Sequence, residues 1–367
     1  MPSTPTYWDY LKLDRLLDLQ TGFEADEDDL RPDELHFIIV HQVYELWFKL
    51  VIRSLRLARD RLAAPRVAEE TIPFVTHHLR RVTAILGLAV DQFDVMETLT
   101  PQDFLAFRDK LVPSSGFQSF QMREIEILMG LSESERLQYG RVDPIEHIEA
   151  LGQGTPAGRL AAERVRQARG ESTMLEALNA WLYRTPIHGS PPGEPGDAAA
   201  VREFLDAYLE ALDGSRHRQL EQLVAGLGER TRPELTTRFD GMLDVARSFL
   251  YAEGVEGDAA TVRRCRAAAL FIESYRDLPL LAWPRLLLDA IVAMEERFVL
   301  WRHRHARMVE RLIGRRVGTG GSGGVDYLDQ TSAYRVFKDL WAIRTLLLPK
   351  GELPALRDPE FYAFAHE

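Results

Sequence analysis

Apolar residues recur along this chain at intervals of three and four, and segments in which apolar and polar residues alternate are nearly absent. With 3.6 residues per turn, positions three and four apart share one helix face, so this pattern predicts amphipathic helices rather than strands. Helices are expected over roughly 7–20, 33–62, 69–97, 101–110, 117–130, 157–184, 198–226, 232–252, 257–274, 283–313 and 333–345. PIHGSPPGEPGD at 186–197 reads as a surface connection, because Pro and Gly interrupt the helical pattern there. The expected fold is all-α, a single large helical domain over 1–350. Segment 131–200 is a less certain helical or loop excursion, and 351–367 a C-terminal tail.

Charge and cysteine usage narrow the chemistry. A formal net charge of −11 over 367 residues, with no long basic block, disfavours nucleic acid and anionic membrane surfaces as partners. Cys265 is the only cysteine, so neither an internal disulfide nor a thiolate metal cluster is available. MPSTPTYWDYLKLD lacks the apolar core of a signal peptide, and no uninterrupted apolar run reaches the ~18 residues a bilayer span needs. A cytoplasmic location is expected.

Two histidines interrupt apolar stripes. Leu287, Ile291, Met294, Phe298, Trp301, His305, Met308 and Leu312 fall on one helix face, whereas His303, between Arg302 and Arg304, points elsewhere. In DELHFIIVHQVYELWFKL, Phe37, His41, Tyr44 and Phe48 share a face in the same way. Each imidazole is either a core histidine satisfied by one partner or a ligand, and two of them on aromatic helices suit a flat apolar cofactor such as haem. A di-iron bundle needs Glu-x-x-His pairs, and no histidine here has Glu three residues before it.

GTGGSGG at 318–324 satisfies GxGxxG through Gly318, Gly320 and Gly323. That fingerprint has physical meaning only between a strand and a helix, and LLLDAIVAMEERFVLWRHRHARMVERLIG upstream is helical. A flexible linker, a substrate loop or a phosphate loop remains.

Five segments together resemble the tryptophan 2,3-dioxygenase family, haem enzymes that open the indole ring of L-tryptophan to N-formyl-L-kynurenine. They are TYWDYLKLDRLLDLQ, HFIIVHQVYELWFKL, DFLAFRDKLVPSSGFQSFQMREIEILMG, WLYRTP and WRHRHARMVERLIGRRVGTGGSGGVDYL, which in order and spacing cover most of the chain. The resemblance implies a helical domain of the tryptophan/indoleamine dioxygenase type, with haem b held between helices. It makes His305 the axial ligand of the haem iron, with Trp301 and Gly320 as further haem contacts. His41 falls at the family's distal histidine, the candidate catalytic position, where a neutral imidazole accepts a hydrogen bond from the indole N–H.

By the same resemblance Arg108 binds the substrate carboxylate, a task suited to a guanidinium fork. Phe37, Phe104, Leu111 and Ser115 line the substrate pocket, and Thr319 presents its hydroxyl to the ammonium from a loop that closes over the site. Arg123 is left structural. Tyr7, Tyr10 and Leu11 match a helix that reaches into a neighbouring subunit, which implies a homotetramer taking L-tryptophan or a related indole amino acid together with O2. Two features depart from the family pattern. Gly323 stands where a serine is common, and Trp8 and Asp9 stand where small or polar residues are usual. They leave open a paralogue that oxygenates a modified tryptophan, and more remotely a haem- or tryptophan-binding protein without turnover.

Overall fold

The computed structural model describes residues 4–24, 26–68, 70–137, 143–152, 154–321 and 323–363. Among the described residues there is no strand, only an isolated bridge between Ile187 and Ser190. In chain order the α-helices are α1 (Tyr7–Leu11), α2 (Leu13–Leu16), α3 (Pro32–Leu62), α4 (Thr71–Met96), α5 (Pro101–Phe107), α6 (Phe120–Met129), α7 (Pro144–Leu151) and α8 (Pro156–Arg169). They continue as α9 (Met174–Tyr183), α10 (Asp197–Leu227), α11 (Arg232–Leu250), α12 (Ala259–Ser274), α13 (Ala282–Ile313), α14 (Val325–Thr331) and α15 (Lys338–Arg344).

The all-α expectation holds, and the differences are local. The predicted helix 7–20 breaks at Lys12, whose φ of 56° lies in the left-handed region. The predicted 157–184 is two helices: α8 stops at Gly170, and α9 restarts behind a capping box in which Thr173 and Glu176 satisfy each other's backbone N–H. α7 was not anticipated, although Asp143 capping Ile145 N and Pro144 at its first turn are ordinary helix starts. α14 was also missed, and 333–345 shortens to α15.

The chain divides into two compact units. The first comprises Met1–Arg56, Arg80–Glu171 and Met294–Arg335, the second Leu57–Leu79, Ser172–Ala293 and Val336–Glu367. In the first, α6, α7 and α8 bury Ile127, Ile145, Ile148, Val165 and Ala168 together. Beneath them the fully buried Glu124 receives Arg56 at 2.7 Å and Arg164 at 2.9 Å, so its charge is compensated.

In the second unit Phe204 and Phe271 are fully buried, their rings 5.3 Å apart at 79°. Burying one such side chain stabilises by roughly 1.5–3 kcal/mol. The segment 186–197 proves to be more than a surface connection. Ile187 is fully buried, and Arg264 donates to the carbonyls of Tyr183, Thr185 and Ser190 and pairs with Asp197 at 2.6 Å. A buried guanidinium with five donors satisfies a backbone that Pro and Gly keep out of a helix.

Candidate functional site

The site lies in the first unit, where α3, α5, α6, α13 and α14 enclose a cavity of about 240 Å³. α13 positions one wall. Leu287, Ile291, Met294, Phe298, Trp301, Met308 and Leu312 are all buried, while His303 is exposed. His305, on the same stripe, lines the cavity with Trp301. Its ring stacks on Phe93 with centroids 5.9 Å apart at 13°, and sits 5.1 Å from the Trp301 ring. Burial is the main cause that pushes its pKa down to about 4, and repulsion of an imidazolium there by a protonated His41 and by Arg302 and Arg123 adds to it. At neutral pH it is an uncharged imidazole with a lone pair to give.

α3 positions the second histidine. His41 Nδ1 lies 2.7 Å from the carbonyl oxygen of Phe37. A carbonyl only accepts, so Nδ1 carries the proton and Nε2 keeps the lone pair. Burial pushes the His41 pKa below its ordinary value, against the opposing pull of that hydrogen bond. The Phe37 ring lies 4.0 Å from the imidazole and 5.7 Å from Phe104 on α5. Tyr44, one turn on, donates to Ala89 O at 2.9 Å and packs edge-on to Trp301.

The polar groups gather where α5 ends. Thr100 caps α5 and Pro101 starts it, and the chain then tightens into a 3₁₀ turn over Arg108–Leu111. Arg108 Nη2 donates to Val317 O at 2.5 Å, and among the described residues its buried Nε has no hydrogen-bond partner. Thr319 donates to Ser114 O at 2.6 Å. These two bonds fasten the glycine loop to 108–115. Gly324, at φ 61°, closes the loop onto α14, and a Cβ there would meet Arg316 O at 2.7 Å. At Gly323 an added Cβ meets nothing within 4 Å, so the departure at this position reflects no steric demand. Ser322 lies outside the described residues. The loop follows a helix, as expected, and so lacks the preceding strand that the dinucleotide fingerprint requires.

Of the residues singled out from sequence, the cavity brings together Phe37, His41, Phe104, Arg108, Ser115, Trp301, His305 and Thr319. Leu111 and Gly320 are not among its lining residues. Tyr7, Tyr10 and Leu11 lie on α1 and are 71, 83 and 41 % exposed. Asp9, one of the departures, supports that helix: its N–H bonds to the Thr6 hydroxyl, which in turn donates to its carboxylate. Sequence reasoning left Arg123 structural, yet it and Arg302 line the cavity. The missed signal is that every residue of α6 from Gln121 to Met129 is buried, so a charge there has no solvent face. Among the described residues, no three His, Cys, Asp or Glu side chains gather to hold a bare metal ion.

The family model described as Tryptophan 2,3-dioxygenase matches residues 2–347. Tryptophan 2,3-dioxygenase 2 of Ralstonia nicotianae is 47 % identical over 368 residues, covering 99 % of this chain and 98 % of that protein. Tryptophan 2,3-dioxygenase of Sorangium cellulosum is 45 % identical over 367 residues, covering 98 % and 88 %. The enzyme of the same name from Dictyostelium discoideum is 32 % identical over 359 residues, covering 95 % and 85 %.

Proposed function

The chain belongs to the tryptophan 2,3-dioxygenase family, and from that premise we infer that it cleaves the C2–C3 bond of the indole ring of L-tryptophan with O2, giving N-formyl-L-kynurenine. One observation carries the reading onto this chain's own residues. A single aromatic-walled cavity holds two uncharged imidazoles, His305 and His41, beside a guanidinium and a hydroxyl on its polar rim.

The cavity suits haem on its own chemistry. His305 is a neutral nitrogen donor on an apolar wall, and Arg123 lines the cavity with Nε lacking a hydrogen-bond partner among the described residues. His305 would hold the iron and Arg123 a propionate. Haem supplies the iron chemistry that activates O2. The chain supplies orientation and dryness. His41 Nε2 accepts from the indole N–H, which sets the ring's angle, and Phe37 and Phe104 keep its faces out of water. Arg108 pairs with the carboxylate, and Thr319 Oγ1 accepts from the ammonium when it leaves Ser114 O. No side chain is required as a general base.

The test is direct. Reduced, haem-loaded protein mixed with L-tryptophan in ¹⁸O-labelled oxygen is expected to raise the near-ultraviolet absorbance of N-formylkynurenine, with two labelled atoms in the product. Intact haem with untouched tryptophan overturns the substrate assignment, and one labelled atom overturns the dioxygenation.

The outer surface supports self-association. By length and composition α3 is apolar enough to cross a membrane, yet only 28 % of its most apolar 18-residue window is buried in the monomer. Ile39, Leu46 and Leu50 on it, and Tyr7, Trp8 and Tyr10 on α1, are exposed. Such apolar area is unusual on a monomer. A homotetramer covers it and brings α1 of one subunit to a neighbour's site. Sedimentation of the full chain is expected to give a tetramer that Tyr10→Asp weakens, and a monomer at micromolar concentration counts against it.

A further inference from the structure

At the cavity wall of α6 and α13 lies an ion cluster centred on Glu126, a residue with no part in the proposed reaction. Glu126 is 99 % buried, and three arginines, each at least nine-tenths buried, converge on it. Arg302 Nη2 donates to Oε1 at 2.5 Å, Arg123 Nη1 lies 2.9 Å from Oε2, and Arg136 Nε lies 3.9 Å from Oε2. Arg136 also approaches Asp143 at 3.6 Å. Burial alone would raise the Glu126 pKa, but the three guanidiniums outweigh it and hold the carboxyl below its ordinary value, so it is ionised.

Two features set this cluster apart from an ordinary buried ion pair. Among the described residues of the cluster, three guanidiniums face the carboxylates of Glu126 and Asp143, which leaves one positive charge in excess. A buried excess charge is costly unless a ligand neutralises it. The donors are also held in place and partly unspent. Arg302 is clamped between the rings of Phe298 at 4.5 Å and Tyr334 at 4.7 Å, while Arg123, whose Nη1 is paired with Glu126, keeps Nε without a hydrogen-bond partner among the described residues. Both arginines line the cavity, whereas Arg136 does not.

Resting on the haem reading above, we propose that Glu126 is a positioning residue for the cofactor: it holds Arg123 and Arg302 at the cavity wall to receive a propionate, and with Arg136 it sets the net charge felt by the iron. The carboxylate touches neither haem nor substrate. It acts through the two arginines, and its negative charge offsets part of theirs. A more positive surrounding favours the ferrous over the ferric state, so single charge changes here shift the midpoint potential with predictable sign.

The experiment is spectroelectrochemical titration of the haem-loaded protein and its variants. Glu126→Gln removes a negative charge and is expected to raise the midpoint potential. Arg136→Gln removes a positive charge from a residue outside the cavity wall and is expected to lower it, and the double variant should return toward wild type. Folded variants with the wild-type potential overturn the inference, since a merely structural role changes thermal stability alone. If the variants do not fold, the unaltered chain decides. Apoprotein titrated with haem and with haem dimethyl ester, whose propionates carry no charge, should bind the ester on the order of tenfold or more weakly. Equal affinities overturn the proposal. Wild-type protein that develops no Soret band with haem overturns the cavity reading itself, a result separate from either of these.

Discussion

Purified His305→Gly protein supplied with haem is expected to show neither the Soret band of a histidine-ligated haem nor any formation of N-formylkynurenine, and added imidazole is expected to restore the band. His303→Ala, two residues away, should change neither. The contrast follows from helix geometry. His305 shares a face with Trp301 and Met308 and lines the cavity, whereas His303 is turned to solvent. Glycine at 305 removes the imidazole without adding bulk, so the space it leaves can admit a free imidazole as a substitute ligand. The Phe93 and Trp301 rings that flank the native ring would flank the added one. Far-ultraviolet circular dichroism separates a lost ligand from a lost fold. A glycine variant with the wild-type band and turnover would remove His305 from the haem site.

Much of this architecture is written in spacing. The stripe from Leu287 to Leu312 placed α13 and chose His305 over His303, because one periodic signal over many residues outweighs any local exception. The same holds for Phe37, His41, Tyr44 and Phe48 on α3. Short elements carry too few turns for periodicity to register, which is why α7 and α14 were missed and why the breaks at Lys12 and Gly170 were run through. Those depend on capping chemistry, legible at Asp143-Pro144 and Thr173-x-x-Glu176 only when caps are weighed ahead of the apolar pattern.

The polar half of the site was less legible. A lone arginine such as Arg108 or Arg123 looks the same in sequence whether it faces water or a cavity, since its long stem packs either way. Arg108 was picked out by family resemblance and not by pattern. Arg123 meets Glu126 at i,i+3 on α6, but Arg302 and Arg136 reach it from other segments of the chain, and no spacing rule reports a contact between positions 126 and 302. The tie from Thr319 to Ser114 is of the same long-range kind.

Arg108→Leu is expected to lower kcat/KM for L-tryptophan by roughly a hundredfold to a thousandfold while leaving the haem spectrum intact. A carboxylate brought into an apolar pocket loses its water, and a charge-assisted guanidinium pair restores about 1.5–3 kcal/mol per bond, with a further penalty when the charge is left unpartnered. Two such bonds at the lower end of that range, about 3–4 kcal/mol together, account for a hundredfold to a thousandfold, since each tenfold corresponds to about 1.4 kcal/mol. Lysine at 108 keeps the charge but not the planar fork, so Arg108→Lys should fall between the two.

The side chain has a second attachment that sharpens the prediction. Nη2 already holds Val317 O, so the group proposed to take the carboxylate also ties down the loop bearing Thr319. Leucine therefore removes both the partner of the carboxylate and one fastening of the loop, and kcat should fall along with the rise in KM. Tryptamine, which lacks the carboxylate, separates the two contributions. Wild-type enzyme should prefer L-tryptophan strongly, and Arg108→Leu should lose most of that preference. The residual drop on tryptamine then measures the loop fastening. A haem-replete leucine variant that keeps the wild-type preference would move carboxylate recognition to another residue of the rim.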